Sequence, residues 1–404
     1  MTSKSNTKQK KTGCLSIMLI GFSALAIICL AATGLLAWDN ARLPEHSEVT
    51  DRLSDREKAL ILETQHLRQS VGNEVLPGWD QADIPIILYN ESYAFIVGTS
   101  SPPPDGWVTA RKRERLGTTW EAVPGDDFQG KLYYRQALSP GVTPEAFTVK
   151  IGDTYAASLT TFEYYPILMR KLIREDVPDF LEAVFPYRLM TGLLIDSSDQ
   201  YISAILHEAA HTYQGISAPE RLVAGEQANT YFEQKYPWDN DSLREDWQKE
   251  LDLLAKALRA QTDEETRLLA QEFLRIRHSR RQSAGLSADL IGFERHREWV
   301  EGIARYAEIT VYRLGHQRSD YAPVDEILRD PQFHQYEKFD HRWTREIDQM
   351  RRMASDGDES RFYYTGMAQA VLLDRLAPDW KSRLFEPDVW LEDLLAEALS
   401  LPAD

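Results

Sequence analysis

The feature that most constrains this chain is a stretch with two histidines and a glutamate in the order H-E-x-x-H, formed by His207, Glu208 and His211. Residues four apart lie one turn apart on the same face of an α-helix. Two imidazoles placed in this way can bind one metal ion, and zinc accepts such nitrogen ligands at about 2.0–2.1 Å. Glu208 lies beside the first histidine, where it can contact a water without ligating the metal. The pattern therefore predicts a Zn²⁺ site with a general base next to it.

The residues around this pattern favour a helix. Ser197, Ser198 and Asp199 offer N-cap and first-turn side chains, and apolar residues recur at helical spacing through the stretch. Gly215 is expected to end the helix, because glycine adopts the left-handed C′ conformation without strain. A buried helix that carries two histidines and a glutamate is costly unless those groups are paired. This cost favours a metal site over a chance match.

The N-terminus is unusual in composition. Residues 15–37 carry no charge, and such a run is long enough to cross a hydrocarbon core of about 30 Å. Lysines precede the run and acidic residues follow it, so the positive-inside rule places the N-terminus in the cytoplasm. A signal peptide usually has an apolar region of only about 7–15 residues. The sequence thus predicts a cytoplasmic tail at 1–14, a retained transmembrane anchor at 15–38 and a single-pass membrane protein whose catalytic part is periplasmic or extracellular.

The composition restricts the partners and the metal ligands. The chain has 404 residues, a net charge of −17 and a pI near 5.1, which argues against a nucleic acid partner. The main basic run, residues 275–281, is interpreted as the solvated face of a helix. Both cysteines, Cys14 and Cys29, lie at or inside the predicted anchor. Zinc in the remaining part must therefore be held by histidine and carboxylate groups.

The order of the predicted elements indicates an α+β fold. A small, mainly antiparallel sheet is expected within residues 39–160, and a largely helical, zincin-like catalytic region within 161–404. The predicted strands are Ile84–Tyr89, Tyr93–Val97, Trp107–Ala110, Lys131–Gln136, Phe147–Ile151 and Tyr155–Leu159. The predicted helices besides that of His207 are Glu48–Leu67, Pro166–Arg174, Glu294–Leu314, Phe362–Leu376 and Asp388–Leu399. Gly315 is expected to end the helix Glu294–Leu314. Residues 241–283 are expected to form an inserted helical hairpin with a turn near 261–263.

A catalytic zinc site normally has three protein ligands and one open position. Glu301 is the first candidate for the third ligand, because it lies close to the apolar stripe of a predicted helix. The small residues Gly302 and Ala304 are expected to let this helix pack closely against the one that carries the histidines. The alternative is an exposed ion pair between Glu301 and Arg305 at the i, i+4 spacing.

Other candidates compete with Glu301. Glu226 follows His211 by fifteen residues and remains a rival third ligand. His296 and His316 bracket the second helix and are interpreted as surface or capping residues rather than ligands.

The motifs resemble a known family. H-E-x-x-H followed by E-G-x-A-x-Y, which begins at Glu301, is similar to the gluzincins, the clan of thermolysin-like and aminopeptidase N-like peptidases. The resemblance implies that Glu301, the glutamate before glycine, is the third zinc ligand. A later segment, which contains Gly366, is similar to the Y-x-x-G segment of the aminopeptidases. There the tyrosine donates a hydrogen bond to the tetrahedral oxyanion. This implies that role for Tyr363, with Tyr364 as the alternate.

The expected function is that of a membrane-anchored zinc metallopeptidase acting on a peptide or protein substrate. Glu208 would be the general base. An endopeptidase is expected, because the chain has no G-x-M-E-N-like segment to hold a free α-amine. The alternatives are a non-catalytic zinc-bearing domain that binds peptide or envelope material, and a zinc hydrolase of non-peptide amides.

Overall fold

The computed structural model of the chain describes residues 27–192, 195 and 197–401. The chain divides into two compact units. The first comprises residues up to Ser47 together with Glu163–Asp196, and the second comprises Glu48–Phe162 and Ser197–Asp404. The strands and the helices after Ser197 therefore belong to one unit.

The predicted membrane anchor is wrong. Among the described residues, 27–40 form a helix, α1. Among the described residues, no helix is long and apolar enough to cross a membrane. The predicted tail at 1–14 and the first part of the predicted anchor, 15–26, lie outside the described residues. The prediction of a single-pass membrane protein with an extracytoplasmic catalytic part is overturned by the same finding.

The first unit contains α1 and three further described helices. These are α3 Tyr164–Asp176, α4 Asp179–Glu182 and α5 Tyr187–Gly192. Asn40, at the end of α1, donates hydrogen bonds from its amide to the backbone oxygens of Ala183 and Phe185. These bonds fix α1 against the connection between α4 and α5.

The second unit is built on one sheet of eight described strands in the order β4-β3-β7-β8-β1-β2-β6-β5. The strands are β1 Ile86–Tyr89, β2 Tyr93–Val97, β3 Trp107–Thr109, β4 Arg115–Leu116, β5 Glu121–Ala122, β6 Tyr134–Ala137, β7 Phe147–Ile151 and β8 Thr154–Thr160. All neighbours pair antiparallel except β1 with β8. The α+β arrangement and the mainly antiparallel sheet agree with the sequence prediction.

A two-residue turn joins strands β7 and β8. Ile151 pairs with Thr154, so Gly152 and Asp153 form the turn, and Gly152 has φ +58°. Glycine adopts this conformation at little cost, which is why it is common in tight hairpins. The hairpin of β7 and β8 packs against the helix Ser198–Ser217, α6.

The helices of the second unit are α2 Asp55–Val75, α6 Ser198–Ser217, α7 Pro219–Phe232, α8 Asp241–Arg259, α9 Asp263–Ser283, α10 Ala288–Arg297, α11 Ile303–Gln317, α12 Phe339–Met350, α13 Ser360–Leu376 and α14 Leu391–Ala398. A π-helical turn, Glu298–Gly302, joins α10 to α11. Short 3₁₀ turns lie at Trp79–Gln81, Glu233–Lys235, Ile327–Arg329, Met353–Ser355 and Pro378–Arg383.

Two predicted helix stops are wrong. Gly215 lies inside α6, and a Cβ at this position would lie 2.9 Å from the ring of Tyr155. Gly315 lies inside α11, and a Cβ there would lie 2.8 Å from the ring of Tyr336. Both glycines serve close packing within a helix rather than a left-handed C′ conformation.

The first helix of this unit also differs from the prediction. α2 begins at Asp55 rather than Glu48, because the Ser54 hydroxyl accepts a hydrogen bond from the Glu57 backbone N–H and caps the helix. It then continues to Val75.

The predicted helical hairpin is present as α8 and α9. Thr262 caps α9 by accepting a hydrogen bond from the backbone N–H of Glu265, close to the predicted turn. Both helices pack against α13. The hairpin therefore supports α13 from one side.

The interpretation of the basic run in α9 as a solvated face is wrong. Arg277, Arg280 and Arg281 are at most 8% exposed, whereas Arg275 and His278 are exposed. The three buried arginines bind carboxylates of α8, α10, the π turn and α14. We name this set the hairpin cluster: Arg277, Arg280, Arg281, Arg295, Glu250, Glu294, Glu298 and Glu392.

Candidate metal centre

The two histidines of the H-E-x-x-H pattern lie on α6. Ser197 begins this helix, because its hydroxyl accepts a hydrogen bond from the backbone N–H of Gln200. The spacing of four residues then places His207 and His211 on one face, with their Nε2 atoms 3.1 Å apart. The side chain of His211 is fully buried, whereas that of His207 keeps 11% of its surface exposed. The site is therefore more open on the side of His207.

Glu301 lies on the π turn between α10 and α11. A π turn contains one more residue than an α-helical turn, and such turns are frequent at functional sites. Glu301 Oε2 lies 3.2 Å from His211 Nε2 and 3.5 Å from His207 Nε2. The structure thus brings together the three residues that were predicted from the sequence as the first candidates for metal ligands.

The three donor atoms fit a metal ion. A tetrahedral zinc ion with ligands at about 2.0–2.2 Å holds neighbouring donors roughly 3.3–3.5 Å apart, and the observed separations are 3.1, 3.2 and 3.5 Å. Electron-pair donors this close repel one another unless a proton or a cation lies between them. Two imidazoles and one carboxylate are also a ligand set of catalytic zinc. The residues present therefore suit a zinc ion.

The second nitrogen of each imidazole has a hydrogen-bond partner. Gln214 donates from Nε2 to two backbone oxygens of the π turn, at 2.6 and 3.2 Å. Its Oε1 therefore accepts from His211 Nδ1, at 3.0 Å. Glu308 Oε2 lies 3.2 Å from His207 Nδ1. With a metal ion bound, both histidines would present the Nε2 lone pair to the centre of the site, as metal-bound histidines do.

Charges around His207 fix its protonation state in the metal-free chain. Burial disfavours the charged form of Glu308, but Arg305 and Arg342 outweigh burial and hold the pKa of this carboxyl well below its usual range. Burial would likewise lower the pKa of His207, yet hydrogen bonds to Glu301 and Glu308 raise that pKa to about 10. His207 therefore carries a proton at neutral pH. A metal ion would displace this proton, since ligands must be deprotonated.

Glu208 is buried beside the first histidine. It is 9% exposed, and its Oε2 has no hydrogen-bond partner among the described residues. Burial raises the pKa of this carboxyl, while His207 and His211 oppose the shift. A buried carboxylate oxygen needs a donor, and a water molecule shared with a metal ion would supply one. This is the position that a general base requires.

Glu226 does not face the histidines. Its two oxygens accept hydrogen bonds from Arg297 Nη1 at 2.7 Å and from Arg111 Nε at 2.9 Å. Arg297 also binds Glu301 Oε1 at 2.6 Å and Glu359 Oε2 at 2.5 Å. Glu301 therefore presents one oxygen to the histidines and the other to Arg297, while Glu226 is bound by arginine at both oxygens.

Carboxylates outnumber guanidinium groups around the three donors. We name this set the site cluster: Glu208, Glu226, Glu301, Glu359, Arg111 and Arg297. Four carboxyl groups face two guanidinium groups, so the site cluster has an excess of two negative charges when all four are ionised; burial raises the pKa of Glu208, and it raises that of Glu359 to about 7. A divalent cation would balance this excess.

The alternative pair of Glu301 with Arg305 is not formed. Glu301 is 1% exposed and pairs with Arg297, four residues before it. Arg305 instead binds Glu346 at 2.6 Å and Glu308 at 2.7 Å. Arg305 thus supports the second nitrogen of His207 through Glu308.

The helix α11 packs against α6 as expected, and Gly302 itself lies at a close crossing of the π turn with α13. A Cβ on Gly302 would lie 2.4 Å from Gly366 Cα, and a Cβ on Gly366 would lie 2.5 Å from the backbone oxygen of Glu298. The π turn therefore crosses α13 at a contact that admits only glycine. This crossing brings the start of α13 to the site.

Tyr363 lies on the site side of α13. Its ring is nearly parallel to that of His207, with centroids 6.0 Å apart. Burial raises the pKa of Tyr363, and Glu301 and Glu359 raise it further. Tyr364 lies beside Arg305 instead, with the guanidinium carbon 5.9 Å from its ring centroid. Of the two tyrosines, Tyr363 stacks on a candidate ligand.

The remaining histidines of the second helix lie elsewhere. His296 packs edge-to-face against Trp390, with centroids 4.8 Å apart, and burial together with Arg221 and Arg297 lowers its pKa to about 4. His316 is exposed. His296 is therefore a partly buried packing residue rather than a surface residue.

Five further residues of the site, among them Glu359 of the site cluster, are missing from the sequence prediction. Gln214 and Glu308 lie at helical spacing from a ligand candidate, three after His211 and seven after Glu301, and Arg297 lies four before Glu301. Such spacing marks a shared helix face, which could have indicated them. Arg111 lies in the turn between β3 and β4, and no local pattern connects it with the helices.

The comparisons with known proteins find no match: neither a protein-family model, nor a curated protein, nor a solved structure is similar to this chain.

Proposed function

We propose that this chain is a zinc-dependent metallopeptidase with His207, His211 and Glu301 as its metal ligands. The observation that carries the proposal is the triangle of donor atoms, which lie within 4.8 Å of one another. The partners of the outer imidazole nitrogens and the excess of negative charge support it. The resemblance of the motifs to the gluzincins is consistent with the same ligand set.

The residues of the site would act as follows. Bound zinc would supply a Lewis acid that lowers the pKa of water toward about 7. Glu208 would accept the proton that the attacking water loses and deliver it to the leaving amine. Its burial and the unpaired Oε2 support this function.

Tyr363 would donate a hydrogen bond from its hydroxyl to the oxyanion that forms at the peptide carbonyl. The raised pKa of Tyr363 keeps this hydroxyl protonated at neutral pH, as a hydrogen-bond donor must be. The loss of one such donor typically costs about 3–4 kcal/mol in the transition state. The ring position next to His207 supports this assignment over Tyr364.

The experiment that tests the metal site compares two buried carboxylates. Glu301→Gln and Glu226→Gln each remove one charge from the site cluster, and both residues bind Arg297. Only Glu301 faces the histidines. We expect one zinc per chain in the wild type and in Glu226→Gln, measured by metal analysis after dialysis, and a large loss in Glu301→Gln. Loss of zinc only in Glu226→Gln would identify Glu226 as the third ligand. A wild type that binds no zinc would overturn the proposal.

The catalytic step is tested by Glu208→Gln. This variant should keep its zinc and lose about 10²–10⁴-fold in peptide hydrolysis, the usual contribution of a general base. Hydrolysis of a peptide library at the wild-type rate would show that the mechanism is wrong. Stoichiometric zinc in a wild type that cleaves no peptide would favour a non-catalytic domain or a hydrolase of other amides.

A further inference from the structure

Arg111 is a partly exposed cation beside the candidate metal ligands. It lies in the turn between β3 and β4, and its side chain is 39% exposed, whereas that of Arg297 is fully buried. Its guanidinium carbon lies 5.4 Å from the ring centroid of Phe147, and this ring contacts that of His211 with centroids 4.4 Å apart. Arg111 therefore combines solvent access with a position next to the metal centre.

Most of the hydrogen-bonding capacity of Arg111 is unused. Nε donates to Glu226 Oε2 at 2.9 Å, which fixes the guanidinium plane. Nη2 lies 3.7 Å from Glu301 Oε1 and 3.7 Å from Glu359 Oε1, and both distances are too long for hydrogen bonds. The described residues accept no hydrogen bond from Nη1. Two adjacent donor groups are thus held in place without an acceptor.

An acceptor with two oxygens matches these donors. A carboxylate binds a guanidinium group through two parallel hydrogen bonds, which are stronger than neutral ones. With a divalent cation at the three ligands and all four carboxyl groups ionised, the charges of the site cluster sum to zero. An incoming carboxylate would then meet Arg111 without an excess of negative charge around it.

We infer that Arg111 binds the C-terminal carboxylate of a peptide substrate. The inference rests on the proposed function and specifies its substrate class. Arg111 Nη2 lies close to Glu301 Oε1, and the other oxygen of Glu301 faces the histidines. Since one extended residue spans about 3.3–3.6 Å, a carboxylate on Arg111 places the scissile bond one or two residues from the C-terminus.

This assignment replaces the expected cleavage inside a chain. The absence of a G-x-M-E-N-like segment argues against binding of a free α-amine. It is compatible both with cleavage inside a chain and with cleavage near the C-terminus. The site then releases one or two residues from the C-terminus.

The test compares two ligands that differ in one group. The probes are Leu-Ala dipeptides with an N-terminal hydroxamate that binds zinc, one ending in a carboxylate and the other in a carboxamide. Their affinity for the zinc-loaded full chain is measured by calorimetry. We expect the carboxylate form to bind the wild type roughly 10- to 100-fold more tightly, as charge-assisted hydrogen bonds do.

Variants then assign the preference to Arg111. In Arg111→Gln the two probes should bind with equal affinity, because only the carboxylate form loses contacts. Arg111→Lys, which keeps the charge but not the paired donors, should retain part of the preference. Arg113→Gln, an exposed arginine of the same turn, is the matched control and should keep the full preference. With a peptide that has a free C-terminus, Arg111→Gln should raise KM and leave kcat nearly unchanged.

The outcomes separate the two proposals. Equal binding of both probes to the wild type, or an unchanged preference in Arg111→Gln, would overturn the inference and leave the zinc peptidase intact. A chain that binds neither zinc nor either hydroxamate would overturn the proposed function and, with it, the inference.

Discussion

Two groups of buried charges lie close together in this protein and differ in how far they are paired. In the hairpin cluster each glutamate oxygen contacts an arginine nitrogen, and four arginines match four glutamates. In the site cluster two arginines face four carboxylates, and one oxygen of Glu208 has no partner among the described residues. The carboxylates of the first set are completely paired, although the buried Nη2 of Arg281 has no hydrogen-bond partner among the described residues, whereas the second set has two more carboxylates than arginines.

The difference separates two uses of buried charge. Charges that are fully paired inside a protein leave no donor or acceptor for a ligand and hold packed elements in one arrangement. Unbalanced charges in a partly open site lower the free energy of unfolding, and the binding of a ligand raises it again. Glu298 belongs to the first set but lies on the π turn that carries Glu301. The two sets are therefore joined at that turn.

The largest effect is expected from breaking the hairpin cluster. Arg280→Met removes a fully buried arginine that binds Glu250 and Glu294, and it leaves their charges partly uncompensated. We expect the free energy of unfolding to fall by about 3–5 kcal/mol, measured by urea denaturation of the metal-free chain.

The matched control for this variant is Arg275→Met. Arg275 lies on the same helix and pairs only with the exposed Glu272, so its removal should change stability by less than about 0.5 kcal/mol. Equal losses in the two variants would mean that the hairpin cluster is not what holds α8 and α9 to the rest of the unit.

A smaller effect is expected where the two sets meet. Glu298 binds Arg277 at 2.6 Å and accepts a hydrogen bond from the Thr365 hydroxyl at 2.6 Å. It thus ties the π turn both to the hairpin and to the helix of Tyr363. We expect Glu298→Gln to weaken zinc binding by about 10–100-fold, the usual cost of losing an outer support of a metal ligand, measured by chelator competition.

Glu250→Gln provides the comparison. It removes a carboxylate of the same cluster that is equally buried and also binds Arg277, but that lies on α8. Its zinc affinity should stay close to that of the wild type even if its stability falls as much as in Glu298→Gln. A similar loss of zinc affinity in both variants would show that the cluster affects the site only through overall stability.

The sequence predicted which three residues come together at the candidate metal centre better than it predicted their surroundings. His207 and His211 are four residues apart, so one helical turn decides their geometry, and the motif could be read without knowledge of the fold. The position of Glu301 depends on a π turn and on a glycine contact between two helices that are distant in sequence. The apolar stripe of its helix and the resemblance to the gluzincins pointed to Glu301 over Glu226.

Errors in the prediction came from features that sequence spacing does not encode. The arginines of α9 follow a pattern usual for a solvated face, and their carboxylate partners lie up to 115 residues away. Gly215 and Gly315 were expected to end helices, although tyrosine rings contact them inside the helices. Long-range packing decides each of these features.

The smallest expected effect is the change with pH in the stability that the hairpin cluster provides. Burial disfavours the charged form of Glu392, but Arg281 and Arg277 outweigh burial and hold its pKa well below its usual range. A carboxylate with a lowered pKa in the folded state stabilises the fold above its unfolded pKa of about 4.3, and this contribution is lost as the pH falls below that value. The difference in free energy of unfolding between the wild type and Glu392→Gln should therefore be constant from pH 7 to pH 5 and shrink from pH 4 to pH 2.5. Denaturant titrations at each pH measure it, with Glu272→Gln on the exposed face of α9 as the control. A difference that stays constant down to pH 2.5 would contradict the ion pairing assigned to Glu392, and with it the claim that the carboxylates of the hairpin cluster are completely paired.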